Sequence, residues 1–269
     1  MLSADGTDIH VYDQGRGPAI LIVGPGLDDG TRTKKLASIL ARRFRVLRLH
    51  RRQYRPDLKT DGTPCSVAQE VDDILAIARQ VGRPLIIYGH SSGGVVALEA
   101  LAAAPSAFTG AVLFEPASVI GTAWAGQDGE VVTQARAACA AGRPGKAMAI
   151  FFRRTIGLPG WQAWAAGALT ALVPRYRRLA SCQIDDLEAM DRLGVRLDAY
   201  SRVTTPTLLL SGDRSTPQQT APLDAIERVL SRPERRPERV VMRKRDHGAD
   251  LKAPKTVARI IETFADTLV

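Results

Sequence analysis

Ser91, His247, Glu115 and Asp213 of this 269-residue sequence combine side chains suited to nucleophilic catalysis with places just after predicted strands. Ser91 lies in Gly89-His90-Ser91-Ser92-Gly93, after the apolar run Leu85–Tyr88 and before a helical pattern of Val95, Val96, Ala97, Leu98, Ala100 and Leu101. In a strand–turn–helix setting this five-residue pattern holds a serine hydroxyl at the tip of a strained bend. Glycine is required at the flanking positions because a Cβ there would strike a neighbouring strand or helix. The amide of Ser92 begins the helix, where it can stabilise an oxyanion.

A serine hydroxyl is a poor nucleophile at neutral pH and needs a base to take its proton. The chain has four histidines: His10, His50, His90 and His247. His247 follows the last predicted strand and is the best candidate for that base. The imidazole in turn needs a carboxylate to fix its tautomer and stabilise the imidazolium. Glu115 and Asp213 also follow predicted strands and are the candidate acids. Asp246 is too close to His247 in sequence to turn back on its ring easily.

These residues are positioned by alternating elements. Strands are predicted around Ile9–Tyr12, over Ala19–Val23, Phe44–Leu49, Leu85–Tyr88, Ala111–Phe114 and Thr207–Leu210, and at Val240–Met242. Continuous aliphatic runs such as Ala19–Val23 mark buried parallel strands. Helical periodicity is predicted over Thr31–Ala41, from Ser66 to Val81, from the serine turn to Ala104, and from Pro254 onward. Ser66 is a plausible N-cap, with Glu70 one residue beyond capping-box spacing. Between about 118 and 202 strand-like runs cease, and Ala-rich helical stretches carry Trp124, Trp161 and Trp164. The expected fold class is therefore α/β: a mainly parallel, doubly wound sheet with helices on both faces. The core is 1–117 with 203–269, and 118–202 is a helical cap. Reactive groups in such sheets gather at the carboxyl ends of strands, where Ser91, Glu115, Asp213, His247 and the Gly24–Leu27 turn all fall.

The net charge is +9. One arginine cluster spans Arg42, Arg43, Arg45, Arg48, Arg51, Arg52 and Arg55; a second spans Arg232, Arg235, Arg236, Arg239, Arg243, Lys244 and Arg245. No aromatic interleaving accompanies them, so no nucleic-acid partner is expected. A solvated face is the default reading, with steering of an anionic substrate or an acidic protein partner as the alternative. Cys65, Cys139 and Cys182 are far apart and odd in number, without metal spacing, and read as buried hydrophobes in a reducing cytosol. No apolar run spans a bilayer and the N-terminus lacks signal-peptide features. A cytoplasmic protein with no membrane partner, no metal and no cofactor is expected.

The chain resembles the α/β-hydrolase superfamily over essentially its whole length. The resemblance rests on Gly89-His90-Ser91-Ser92-Gly93, on the order nucleophile, acid, late histidine, and on Asp246-His247-Gly248 between the last strand and the last helix. Arg51-Arg52-Gln53-Tyr54 looks like a degraded form of the family's Arg-Gly-Tyr-Gly turn. The resemblance implies a second oxyanion donor after the strand that ends at Gly24, here the amide of Leu27 following Pro25-Gly26. A carboxylate beside that hole would repel the oxyanion, so Asp28 and Asp29 are expected to face solvent. The family usually carries its acid three residues past a glycine after the penultimate strand, but that position holds Ser215. Some members place a catalytic Glu after the strand that follows the nucleophile helix, which ranks Glu115 ahead of Asp213. The implied activity is a serine hydrolase acting on a small-molecule ester, thioester or lactone, with an anionic or carrier-bound acyl group as the alternative. Trp124, Trp161 and Trp164 are the expected lining of a mostly apolar acyl pocket. A thioesterase or acyltransferase on a carrier protein, a carbon–carbon bond hydrolase and a non-catalytic ligand-binding protein share the scaffold. Dehalogenation is disfavoured by a serine where its nucleophile would be Asp.

Overall fold

The computed structural model describes residues 1–58, 65–126, 128–233 and 236–268; Arg235 of the second arginine cluster lies outside them. Seven strands form one sheet: β1 (Val11–Gln14), β2 (Ala19–Val23), β3 (Arg45–Leu49), β4 (Leu85–His90), β5 (Phe108–Phe114), β6 (Thr207–Gly212) and β7 (Glu238–Met242). Their spatial order is β1-β3-β2-β4-β5-β6-β7. β1 pairs antiparallel with β3, and every other pairing is parallel. The helices are α1 (Lys34–Leu40), α2 (Val67–Val81), α3 (Ser92–Ala103), α4 (Glu130–Ala140), α5 (Pro144–Arg154), α6 (Gly160–Leu172), α7 (Pro174–Leu193), α8 (Leu197–Tyr200), α9 (Pro217–Leu230), α10 (Ala249–Lys252) and α11 (Pro254–Asp266).

Strand side chains alternate between the two faces of the sheet, and each face has its own core. Leu21, Val23, Leu47, Leu85 and Ile87 pack with α2, α3 and α9 through Ile74, Ile77, Val96 and Ile226. Ile20, Ile22, Val46, Tyr88 and Phe114 pack with α1 and α11 through Leu36, Leu40, Val257 and Ile261. A polar position on either face would be buried, so the strands read as unbroken apolar runs.

Helices α4 to α8 lie between β5 and β6 in the chain. Val131, Ala135, Met148, Phe151, Ile184 and Leu187 form a separate small core among them. A parallel bridge between Val119 and Val195 joins the entry and exit of this insertion. The helix after the third strand begins in a capping box, but its partner is Gln69 rather than Glu70: the Ser66 amide donates to Gln69 Oε1 at 2.9 Å and the Gln69 amide to Ser66 Oγ at 3.2 Å.

The first arginine cluster is only partly a solvated face. Arg48, Arg51, Arg52 and Arg55 are buried. Arg52 pairs with Asp73 and Asp5, and Arg55 with Asp57. Burying a guanidinium is costly unless its donors are matched; the partners of Arg52 come from 21 and 47 positions away, whereas Asp57 is two residues from Arg55. In the second cluster Arg236, Arg243 and Lys244 are exposed, while Arg239 bridges Asp224 and Glu227 on α9.

Candidate active site

Ser91 ends β4 and starts α3 at φ 56° and ψ −126°. Such a conformation is costly for a residue with a Cβ and persists only where the surroundings enforce it. Backbone hydrogen bonds do so. The Ser91 amide donates to the Phe114 carbonyl at 3.0 Å, while the Ser91 carbonyl accepts from Gly94 at 2.9 Å and Ala117 at 3.1 Å. The motif glycines are required by contact: a Cβ on Gly93 would lie 2.2 Å from the Gly24 carbonyl oxygen, and one on Gly89 would lie 2.8 Å from Gly94 Cα. Leu27 at φ 55° and Glu115 at φ 43° are strained in the same way, so three of the four non-glycine residues with positive φ among the described residues are candidate site residues.

Glu115 caps β5. Its carboxylate is fully buried and spans two partners: Oε2 lies 2.5 Å from His247 Nδ1, and Oε1 accepts the Gly212 amide at 2.9 Å. The Ser215 hydroxyl lies alongside, without closing a strict hydrogen bond. Burial pushes the Glu115 carboxyl up, but the bond to His247 and its charge outweigh it, together with Ser215 and the Gly212 amide; the group sits below its ordinary range and is ionised. A carboxylate only accepts, so Nδ1 donates to Glu115, and in the neutral form of the ring Nε2 is the acceptor. The His247 ring packs on His90, with centroids 4.5 Å apart, which sets it beside the turn carrying Ser91.

Asp213 does not meet His247. It is exposed, accepts the Arg245 amide at 3.2 Å, and is held below its ordinary range chiefly by the Lys244 amide. Its place as the alternative acid is corrected: its loop turns the carboxylate to solvent, while Ser215, where the family's acid usually stands, faces Glu115.

Ser91, Ser92, Leu27, Glu115 and His247 line one cavity of about 540 Å³. Its farther walls come from the insertion: Trp124, Phe151, Phe152, Ile156, Leu187 and Met190. Trp161 and Trp164 are not among the lining residues; both project outward from α6, 72% and 71% exposed. That corrects their expected role, since their helix turns Gln162, Ala166, Leu169 and Thr170 to the cavity instead. Asp28 also departs from expectation. It is buried, accepts the Arg32 amide at 2.9 Å and lies near Arg175. It is absent from the cavity wall, and burial raises its carboxyl to about 6 despite these partners. Asp29 is half-buried, bonded to Thr31 and paired with Arg175.

Two buried networks that sequence reasoning missed support the turn. His90 is fully buried and stacked on Phe114, with Nδ1 2.9 Å from Asp250 Oδ2; Asp250 also takes Arg32. Burial lowers His90 to about 4, so it is a neutral donor to Asp250 and leaves no positive charge beside His247. Below Ser92, fully buried Arg51 reaches three elements. It pairs with Glu70 of α2 at 2.7 Å and Asp186 of α7 at 2.8 Å, and donates to Ser92 Oγ at 2.7 Å. Ser92 Oγ donates to Asp186 at 2.5 Å, and the Tyr54 hydroxyl lies 2.7 Å from Asp186 Oδ2 and 3.0 Å from Gln183 Oε1, its one proton directed to the carboxylate. The insertion is thus tied by hydrogen bonds to the residue after Ser91. The only sequence signal for this was the Arg51–Tyr54 segment; its partners lie up to 135 positions away.

A family model described as the α/β-hydrolase family matches residues 19–260, and the chain belongs to that family. No curated protein matches it by sequence. Among solved structures it is similar to an α/β hydrolase from Sphaerobacter thermophilus, with 23% identity over 98% of both chains and a TM-score of 0.77. It is also similar to an esterase from a Rhodococcus strain, with 20% identity, 100% of this chain and 98% of that one covered, and a TM-score of 0.70. A meta-cleavage product hydrolase shares 15% identity over 99% of this chain and 97% of its own, at a TM-score of 0.70. At these identities the likeness to solved structures is one of fold.

Proposed function

We propose that this α/β hydrolase cleaves a carboxylic ester, thioester or lactone through an acyl-enzyme on Ser91. The observation that carries the reading is the buried Glu115 carboxylate 2.5 Å from His247 Nδ1, in a cavity shared with Ser91. In the proposed reaction Ser91 Oγ attacks the acyl carbon while His247 Nε2 takes its proton. The amides of Leu27 and Ser92 hold the tetrahedral oxyanion. On collapse the bond to the leaving group breaks, and His247 returns the proton to that group. Water, deprotonated by His247, then attacks the acyl-enzyme; the acid departs and Ser91 regains its proton. Glu115 stays ionised and stabilises the imidazolium. The apolar side chains around the cavity suit an aliphatic or aromatic acyl group.

The test is labelling with a serine-directed phosphonate alongside hydrolysis of p-nitrophenyl esters of graded chain length. The expected result is stoichiometric labelling that Ser91→Ala abolishes and His247→Ala greatly slows, with turnover falling on the order of 10³-fold or more in Ser91→Ala. A folded protein that binds such esters but is neither labelled nor active would instead be a ligand-binding member of the fold. Labelling without ester turnover would direct the search to carbon–carbon bond hydrolysis.

A further inference from the structure

Helix α6 has two working faces. One, with Gln162, Ala166, Leu169 and Thr170, borders the cavity. Another carries Trp161, Trp164, Ala165, Ala168 and Leu172 at i, i+3, i+4, i+7 and i+11, a single stripe of a helix. This stripe faces outward, with Trp161 72%, Trp164 71% and Leu172 79% exposed; Leu169, on the edge between the faces, is 54% exposed. Large apolar side chains exposed contiguously to this degree mark a surface that something covers.

The charge around the stripe says what kind of surface that is. Between Glu130 and Asp185 the chain has no acidic residue and eight Arg or Lys. Arg136, Arg154 and Arg175 are engaged by acidic residues outside that stretch. Arg143, Lys146, Arg153, Arg177 and Arg178 are exposed. Arg153 lies beside Gly160 at the start of α6, and Arg177 and Arg178 follow its end in the first turns of α7. Trp and Leu on one helix face with arginines at both ends match a helix lying in the plane of a bilayer interface, its rings at headgroup depth and its cations on anionic lipid.

We propose that α6 and its flanking arginines dock the protein on an anionic lipid bilayer, with the cavity on the protein side of that helix. Surface attachment of this kind departs from the expectation of no membrane partner. No helix among the described residues is long and apolar enough to cross a membrane, and α6 lies on the surface. A second copy of the chain is a poorer occupant, because a symmetric contact would set the exposed Arg143, Lys146, Arg153, Arg177 and Arg178 against their own copies. The docking is independent of the chemistry proposed for Ser91.

The test is flotation of the full chain with vesicles of phosphatidylcholine alone and of equal parts phosphatidylcholine and phosphatidylglycerol, with tryptophan emission read in parallel. The expected result is binding to the mixed vesicles with a blue shift, weakened by salt and about tenfold or more weaker on phosphatidylcholine alone. Two variants, Trp161→Ser/Trp164→Ser and Arg177→Glu/Arg178→Glu, should each weaken binding by about tenfold or more with unchanged unfolding temperature; either suffices if the other misfolds. Failure to float with mixed vesicles, equal binding to both compositions, or undiminished binding in folded variants overturns the proposal. So does a dimer in solution that the Trp variant converts to monomer, which would assign the stripe to a second copy.

Discussion

Replacing Glu115 by Gln tests which carboxylate serves His247, and the outcome can be worked from two hydrogen bonds. Oε1 of Glu115 accepts the Gly212 amide at 2.9 Å, and Oε2 meets His247 Nδ1 at 2.5 Å. A glutamine has one acceptor end and one donor end. The Gly212 amide can only donate, so it claims the Gln oxygen and turns the Gln amino group to His247. Nδ1 must then accept, which moves the imidazole proton to Nε2, where it cannot take a proton from Ser91. The imidazolium formed during reaction also loses its counter-charge. Wrong tautomer and lost charge together are worth on the order of 10³–10⁴ in kcat/KM, or about 4–5.5 kcal/mol of transition-state stabilisation. Asp213→Asn should stay within about twofold of the parent, as expected for an exposed surface change, because that carboxylate bonds only backbone amides of the neighbouring turn. The assay is steady-state hydrolysis of the best p-nitrophenyl ester from the chain-length series, with circular dichroism to confirm folding. Equal losses in the two variants, or Glu115→Gln within tenfold of the parent, would refute the assignment while leaving the fold untouched.

Two further outcomes concern stability. Arg51→Leu should cost about 3–5 kcal/mol in urea unfolding, since it leaves Glu70 and Asp186 buried without their cation; a loss below 1 kcal/mol would show that water or rearrangement compensates the pair. Asp28 titrates at about 6 in the folded chain, above its ordinary 3.8, so its contribution to stability is full below the lower value and lost as pH rises through the upper one. Asp28→Asn should therefore flatten the stability profile across that window and gain roughly 1–3 kcal/mol near neutral pH; parallel profiles for the two proteins would contradict the burial argument.

Much of the architecture was legible in the chain. β2 runs from Ala19 to Val23, as its aliphatic run predicts, because a strand covered on both faces tolerates no polar position. The turn at Ser91 was legible because Gly89 and Gly93 are demanded by backbone contact within a local strand–turn–helix unit. Helix boundaries were less so: the Ser66 cap closes on Gln69, and Glu70 turns instead to Arg51.

The amino-acid sequence by itself determined the α/β class, the strained serine turn and the set of polar residues at strand ends, since each depends on periodicity or on neighbours a few positions away. Only the tertiary structure decided which of these meet. It set Glu115 rather than Asp213 against His247, buried Arg51 between Glu70 and Asp186, drew Asp28 inward, and turned Trp161 and Trp164 away from the cavity. Those outcomes depend on contacts between residues tens to more than a hundred positions apart. A side chain's type states what it can bond or bury, and only packing decides which partner or solvent it faces.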